Sequence, residues 1–319
     1  MHEFQLINKY FLKLSKINKS SLNLNDDVFF DKSKNLVISV DTYIEGIHFL
    51  NFKKPELVIK KIIRSSISDL ICKGVEPKFY FISGSGNKKK FSQLNLSKIS
   101  KSLYQEQKKY GIFLCGGDTS FSSKLSFSIT SLGYSKKIIY RNKAKLNDDI
   151  YVTGNLGDSF TGLQILKNKI KIKKKISDYF ISKYYRPDVQ INFTKTLLKY
   201  ANSSIDVSDG LVDDLGKMLN KQNLSYKLYK DHIPISKHLK NLIKDKKLNK
   251  SNFISNGDDY QVLFTASPHK NRIIHNDSKK LGVKITKIGK INRSKEKSII
   301  IDEKGKKIVI KNTGHTHRF

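Results

Sequence analysis

Apolar residues along the chain fall into short runs of two periods, and the order of those runs predicts strands alternating with helices. Residues 36–40 form a brief apolar run closed by Asp41, the pattern of a buried strand with a carboxylate at its tip. Over residues 55–72, Leu57, Ile59, Ile62, Ile63, Ile67 and Leu70 recur at helical spacing, and Gly74 just beyond supplies a stop. Residues 78–83 predict a strand and 96–110 an amphipathic helix. Gly111 then resets the chain into a strand over 112–115. Alternation over 125–134 predicts β-structure leading into 138–141.

The polar stretch Asn142-Lys143-Ala144-Lys145 precedes a new strand over 149–153 and predicts a boundary near 142–148. Two domains of ordinary size follow, 1–145 and 146–319. Gly154-Asn155-Leu156-Gly157-Asp158 turns the strand into a helix over 159–166, and 168–178 reads as a lysine-rich connection. Residues 189–200 and 210–220 predict helices. Residues 254–265 carry Gly257-Asp258-Asp259 into a strand, and 283–291 predict another. The fold class is α/β (α+β) in both halves.

Charge changes the picture less than its size suggests. The formal net charge is +33, yet of 61 basic residues only six are arginine, at 64, 141, 186, 272, 293 and 318. Lysine runs such as 88–90 and 173–175 lie among asparagines and isoleucines, as on a solvated lysine surface. Base readout and bidentate phosphate gripping favour arginine, so a nucleic-acid-binding protein is the weaker reading. No apolar run approaches membrane-spanning length, and residues 1–9 lack a basic-then-apolar leader. Cys72 and Cys115 have no disulfide or metal spacing and sit in apolar company, so both are expected to be reduced and buried in a cytoplasmic protein with no membrane partner.

The candidate chemistry lies in short aspartate strings: Asn25-Asp26-Asp27, Ser39-Val40-Asp41-Thr42, Ser68-Asp69-Leu70, Gly116-Gly117-Asp118-Thr119 and Asp206-Val207-Ser208-Asp209-Gly210. Each carboxylate adjoins an apolar run or a glycine. Singly, a helix cap or a turn explains any of them. Together they repel one another and lose hydration unless a cation sits among them, and hard oxygen ligands select Mg²⁺. No Walker A string is present, and Gly84-Ser85-Gly86 reads as a surface turn. The residues by themselves point to a divalent-metal site.

The same strings, in order and at compatible spacing, resemble the bacterial thiamine-monophosphate kinases of the aminoimidazole ribonucleotide synthetase superfamily. Ser39-Val40-Asp41-Thr42-Tyr43-Ile44-Glu45-Gly46-Ile47-His48-Phe49 carries the most specific likeness, and Asn256-Gly257-Asp258-Asp259-Tyr260 resembles a Gly-Gly-Glu-Asp-Tyr string. The resemblance implies a two-domain fold whose N-terminal domain pairs with a second subunit through its sheet, giving a homodimer. It implies an ATP-dependent kinase converting thiamine monophosphate to thiamine diphosphate with several Mg²⁺ ions. Metal ligands would be Asp27, Ser39, Asp41, Asp69, Asp118, Asp206 and Asp209. ATP would meet Gly117, Asp118, Arg141 and Ser208, and thiamine monophosphate would meet His48, Asp258 and His315. No general base is implied, because the acceptor phosphate oxygen is already ionised at neutral pH. Three positions depart from the family pattern: Val40 stands for threonine, Asp258 for glutamate, and the ending over 314–319 is loosely matched. Another ATP-using enzyme of the superfamily is the alternative; for a selenophosphate synthetase the reactive cysteine is missing from residues 1–24.

Overall fold

The computed structural model describes residues 3–295, 297–310 and 314. Strands β1 (Phe29–Asp31), β2 (Leu36–Ile44), β3 (Pro77–Gly86), β4 (Phe113–Gly116), β5 (Thr119–Phe121) and β6 (Ser126–Tyr134) make the first sheet, in the order β1-β2-β6-β3-β4 with β5 also on β3. Registry puts Asp41 of β2 opposite Ile129 of β6, which lies opposite Ile82 of β3. Side chains alternate across the sheet. Val37, Ser39 and Tyr43 face inward and are buried, whereas Val40, Phe79, Phe81 and Phe113 face outward and are exposed.

Helix α1 (Pro55–Cys72) covers the inner face. Pro55 opens it, Glu56 sits in its first turn where the helix dipole favours an acid, and Gly74 ends it at φ 77°. Ile59, Ile62, Ile63 and Ile67 are wholly buried, each stabilising the fold by about 2 kcal/mol. Helix α2 (Gln93–Tyr110) packs beside α1, capped by Ser92 and stopped by left-handed Gly111.

The second sheet has seven strands: β7 (Asp149–Thr153), β8 (Ala201–Asp206), β9 (Leu224–Tyr229), β10 (Val262–Ala266), β11 (Ile285–Arg293), β12 (Ile299–Ile301) and β13 (Lys307–Ile308), in the order β13-β12-β9-β11-β7-β10-β8. Helices α3 (Asp158–Leu166), α4 (Lys174–Tyr185), α5 (Leu211–Met218), α6 (Lys237–Asp245) and α7 (Asn271–Leu281) accompany it. The largest apolar cluster joins Ile59, Ile62 and Ile63 of α1 to Tyr184, Phe193 and Phe264 of the second half. The two halves therefore share a core, and α1 lies between their sheets.

Several expectations need correcting. Strand β2 runs to Ile44, so Asp41 projects from mid-strand rather than from a tip. The lysine-rich connection is partly helix α4, because Ile176, Tyr179 and Phe180 find an apolar cluster to bury against. The expected helix over 189–200 shrinks to a 3₁₀ turn, Ile191–Phe193, and one α turn, Thr194–Leu197. Gly84-Ser85-Gly86 lies within β3, where a Cβ on Gly84 would meet Phe91 at 3.2 Å and Phe127 at 3.3 Å. Cys72 is buried, but Cys115 is exposed, since edge strand β4 has no neighbour covering it.

Candidate active site

One stripe of α1 is polar: Lys61, Ser65, Ser68, Asp69 and Lys73 (just past its end) recur at three- and four-residue intervals and so share a face. Through Ser65 and Asp69 that face meets a cleft of about 490 Å³ between the two halves. Strand β2 contributes Asp41, the turn before β1 contributes Asp26 and Asp27, and the end of β8 contributes Asp206, with Ser208 and Asp209 just beyond.

At the centre stand Asp41, Asp69 and Asp206. Ser39 Oγ donates to Asp69 at 2.6 Å, Tyr43 OH to Asp41 at 3.2 Å and Ser68 Oγ to Asp206 at 2.5 Å. None of the three has an ion-pair partner among the described residues. Burial, reinforced by Asp206, pushes the Asp41 carboxyl up to about 7. Burial and then Asp41 raise Asp69 well above its usual range, and burial brings Asp206 to about 6 against the Ser68 hydrogen bond. Carboxylates raised first by burial and then by like charge nearby are hard oxygen donors of the kind a divalent cation binds.

To one side the same residue type is fully compensated. Lys73 Nζ, wholly buried, lies 2.7 Å from Asp26 and 3.0 Å from Asp27, and donates to the Ser204 carbonyl at 3.0 Å. Arg141 bonds Asp27 Oδ1 at 2.9 Å through Nη1 and the Asn25 carbonyl at 3.1 Å through Nε, and its backbone N–H reaches Asp26 at 2.9 Å. Burial alone would raise Asp27, but Lys73 and Arg141 more than reverse it and hold the carboxyl well below the usual range. Asp27 Oδ2 nevertheless forms no hydrogen bond, because its approach to Lys73 lies outside bonding geometry. A carboxylate oxygen without a hydrogen-bond donor fits the role of a cation ligand.

Beyond Asp206, the carboxylates of Asp209, Asp213 and Asp214 have oxygens within 4.8 Å of one another. An ammonium already sits among them: Lys217 pairs with Asp209, and lies 3.0 Å from Asp213 and 2.9 Å from Asp214. At the other end of the cleft, His48 Nδ1 accepts the Ile44 N–H at 3.0 Å, and Asp258 binds Lys61. The loop bearing Asp258 is stitched to the Asp206 segment by backbone bonds, Asp258 N to Ser208 O at 2.7 Å and Tyr260 N to Val207 O at 2.8 Å.

Known proteins place this arrangement. The model for AIR synthase related protein, N-terminal domain, matches residues 25–135. The thiamine-monophosphate kinase of Buchnera aphidicola subsp. Schizaphis graminum is 36% identical over 99% of this chain and 98% of its own. That of Haemophilus influenzae is 35% identical over 92% of this chain and 90% of its own. The chain belongs to the thiamine-monophosphate kinase family. The solved structure of AaThiL complexed with AMPPCP and TMP superposes with a TM-score of 0.84, at 28% identity and covering 99% of this chain and 97% of that one.

Against the ligand set carried over from this family, the cleft brings together Asp27, Asp41, Asp69, Asp206, Asp209, Arg141, Ser208, His48 and Asp258. Ser39 sits just behind them as a hydroxyl donor to Asp69. Gly117 and Asp118 are not brought in. They lie between β4 and β5, three strand spacings from Asp41 and so about 14 Å across the sheet. Asp118 is exposed there and accepts from Thr119 N at 2.8 Å. Gly117 packs so tightly that a Cβ would fall 1.7 Å from the Ile82 carbonyl oxygen. Val40, where the family has threonine, is 66% exposed on the outer face. His315 lies outside the described residues, although its neighbour Gly314 packs on Asp213. Sequence reasoning missed Lys61, Lys73 and Lys217, three cations that look like any of the other lysines. Helical phase gave the one available signal: Lys61 and Lys73 fall on the Asp69 stripe of α1.

Proposed function

We propose that this chain transfers the γ-phosphoryl group of ATP to thiamine monophosphate, giving thiamine diphosphate. The observation that carries the reading is the centre of Asp41, Asp69 and Asp206, which has hydroxyl donors but no ion-pair partner among the described residues, set beside compensated carboxylates in one cleft of a chain that belongs to this family. An acceptor phosphate oxygen attacks the γ-phosphorus in line, the bond from that phosphorus to the β–γ bridging oxygen breaks, and ADP leaves. The acceptor oxygen is already ionised, so no side chain has to remove a proton. What must be overcome is repulsion between two polyanions. Mg²⁺ held by Asp27, Asp41, Asp69 and Asp206 would supply the charge neutralisation. Ser39 and Ser68 orient Asp69 and Asp206, and Arg141 fixes the Asp27 turn at the nucleotide side. Ser208 and Asp209 belong to the same side, while His48 and Asp258 line the acceptor end.

The working unit we infer is a homodimer formed through the outer face of the first sheet. Val40, Phe81 and Phe113 are 66, 40 and 59% exposed there, an apolar surface that a monomer rarely leaves open. Gly117 and Asp118 lie at the edge of that face, so their role in ATP and metal binding is assigned to the dimer, in which they serve the second copy's cleft. No described helix is long and apolar enough to cross a membrane. We read the lysine-rich surface as solvated rather than as a nucleic-acid groove, and place the enzyme in the cytoplasm.

The test is a coupled assay with purified protein, ATP, Mg²⁺ and thiamine monophosphate. Thiamine diphosphate should form, should not form from free thiamine, and should form roughly 10²–10³-fold more slowly in Asp69→Asn. Phe113→Asp, run on a sizing column, should yield monomer and lose the activity. Nucleotide binding without product would move the search to other acceptors of the superfamily.

A further inference from the structure

Lys61 is a buried cation behind the cleft wall that pairs with neither the metal-type carboxylates nor the residues of the nucleotide side. Its ammonium, on α1 and 1% exposed, lies 2.5 Å from Asp258 Oδ1 and 3.4 Å from the Tyr184 carbonyl, with the Tyr184 ring centre at 4.2 Å and that of Tyr260 at 5.6 Å. Tyr260 OH donates to the same Asp258 oxygen at 3.0 Å. Asp258 Oδ2 accepts nothing from the described residues, and Asp258 lines the cleft while Lys61 does not. Burial lowers the Lys61 ammonium, and Asp258 works against that. A cation in such a place is costly to keep unless its partner gives it a use.

The backbone agrees. Asp258 and Tyr260 both adopt left-handed conformations, φ 66° and 52°, which non-glycine residues take up only when their surroundings hold them. Lys61 ties this loop of the second half to the helix that carries Asp69. We propose that Lys61 is a positioning residue for the acceptor substrate: by occupying Asp258 Oδ1 together with Tyr260, it aims Oδ2 at a hydrogen-bond donor on the bound thiamine moiety. Asp258 is one methylene shorter than the glutamate of the family pattern, and the buried ammonium behind it fixes where its other oxygen sits. The inference rests on the kinase reading for the identity of the acceptor.

The test is equilibrium binding by calorimetry of thiamine monophosphate and, separately, of the non-hydrolysable nucleotide AMPPCP with Mg²⁺, on full-length wild type, K61M, D258N and the double variant. K61M should weaken thiamine monophosphate roughly tenfold or more while nucleotide affinity stays within about twofold. D258N should do the same, and the double variant should be no worse than the weaker single, since both remove one device. Equal losses for both ligands, an unshifted K61M, or additive losses in the double variant would each overturn the proposal. If K61M fails to fold by thermal melting, K61Q takes its place: it keeps one donor, should lose acceptor affinity alone, and overturns the proposal if it loses none. Wild type that binds thiamine monophosphate without forming product overturns the kinase reading and leaves this test intact. Wild type that does not bind it overturns both.

Discussion

Asp26 and Asp27 share the ammonium of Lys73, and Asp27 also meets the guanidinium of Arg141, whereas Asp41, Asp69 and Asp206, in the same cleft, accept from hydroxyls and have no ion-pair partner among the described residues. The residue type is constant and the burial similar, yet Asp27 is held far down and Asp41 is pushed up to about 7. Which positive charge is built in, and which is left out, separates the two regions. The first has its cations built in by folding, with one Asp27 oxygen left over. The second stays at odds with itself until a cation arrives, so ligand binding there acts against repulsion already stored in the fold.

The strongest way to break the contrast is to remove one member of the set that lacks ion pairs. Asp69→Asn should lower kcat by roughly 10²–10³-fold, the scale of losing one electrostatic element of a transition state. It should also raise the melting temperature of the metal-free protein at pH 8, because it relieves repulsion. A metal-free variant that melts below wild type would show that Asp69 is stabilised rather than strained, and would sink the comparison.

Turning the finished region into an unfinished one is the converse. Lys73→Met leaves Asp26 and Asp27 without their ammonium and should cost about 3 kcal/mol of stability, as breaking a buried pair does. Urea unfolding measures it, and a loss under about 1 kcal/mol would mean that Arg141 alone suffices. A smaller effect is expected at Lys217, whose side chain is 15% exposed. Lys217→Met should cost about 1–2 kcal/mol without metal. It should enlarge the stabilisation by Mg²⁺, because Asp209, Asp213 and Asp214 then have no resident cation. An unchanged response to Mg²⁺ would remove Lys217 from the electrostatics of the cleft.

What the chain discloses before folding follows the same division. Aspartates beside glycines and apolar runs stand out in any reading, because a charge is costly there. Helix α1 and strand β2 are legible because their periodicity is long and clean. The cations that answer those aspartates are not legible. Lys61, Lys73 and Lys217 are three lysines among 55, and burial is a property of the helix face rather than of the residue. Helices α4, α6 and α7 are hidden for a related reason: lysines crowd their exposed faces, so only the burial of their own Phe180, Leu239 and Ile274 declares them. The separation of Asp118 from Asp41 could not be read either, since strand order β2-β6-β3-β5 is set by long-range pairing.

The subtlest test uses pH, because the two regions carry opposite linkage. Asp27, depressed, adds stability above its unfolded value and loses it only as the solution is strongly acidified. Asp41 and Asp206, raised from 3.8 to about 7 and about 6, do the reverse. Their stabilising protons are fully present below the unfolded value, and the fold loses that contribution as pH climbs from about 4 to about 7. Metal-free protein should therefore melt at a lower temperature at pH 8 than at pH 6. Mg²⁺ competes with the same protons, so the rise in melting temperature at saturating Mg²⁺ should be larger at pH 8 than at pH 6, by about 2–4 °C. Scanning calorimetry at the two pH values, with and without Mg²⁺, gives all four numbers. In Asp69→Asn the pH dependence of the Mg²⁺ effect should shrink, while the acid limb owed to Asp27 and Lys73 stays where it was. A Mg²⁺ effect that does not depend on pH would mean that the ion binds outside Asp41, Asp69 and Asp206, and the contrast between the two regions would lose its functional meaning.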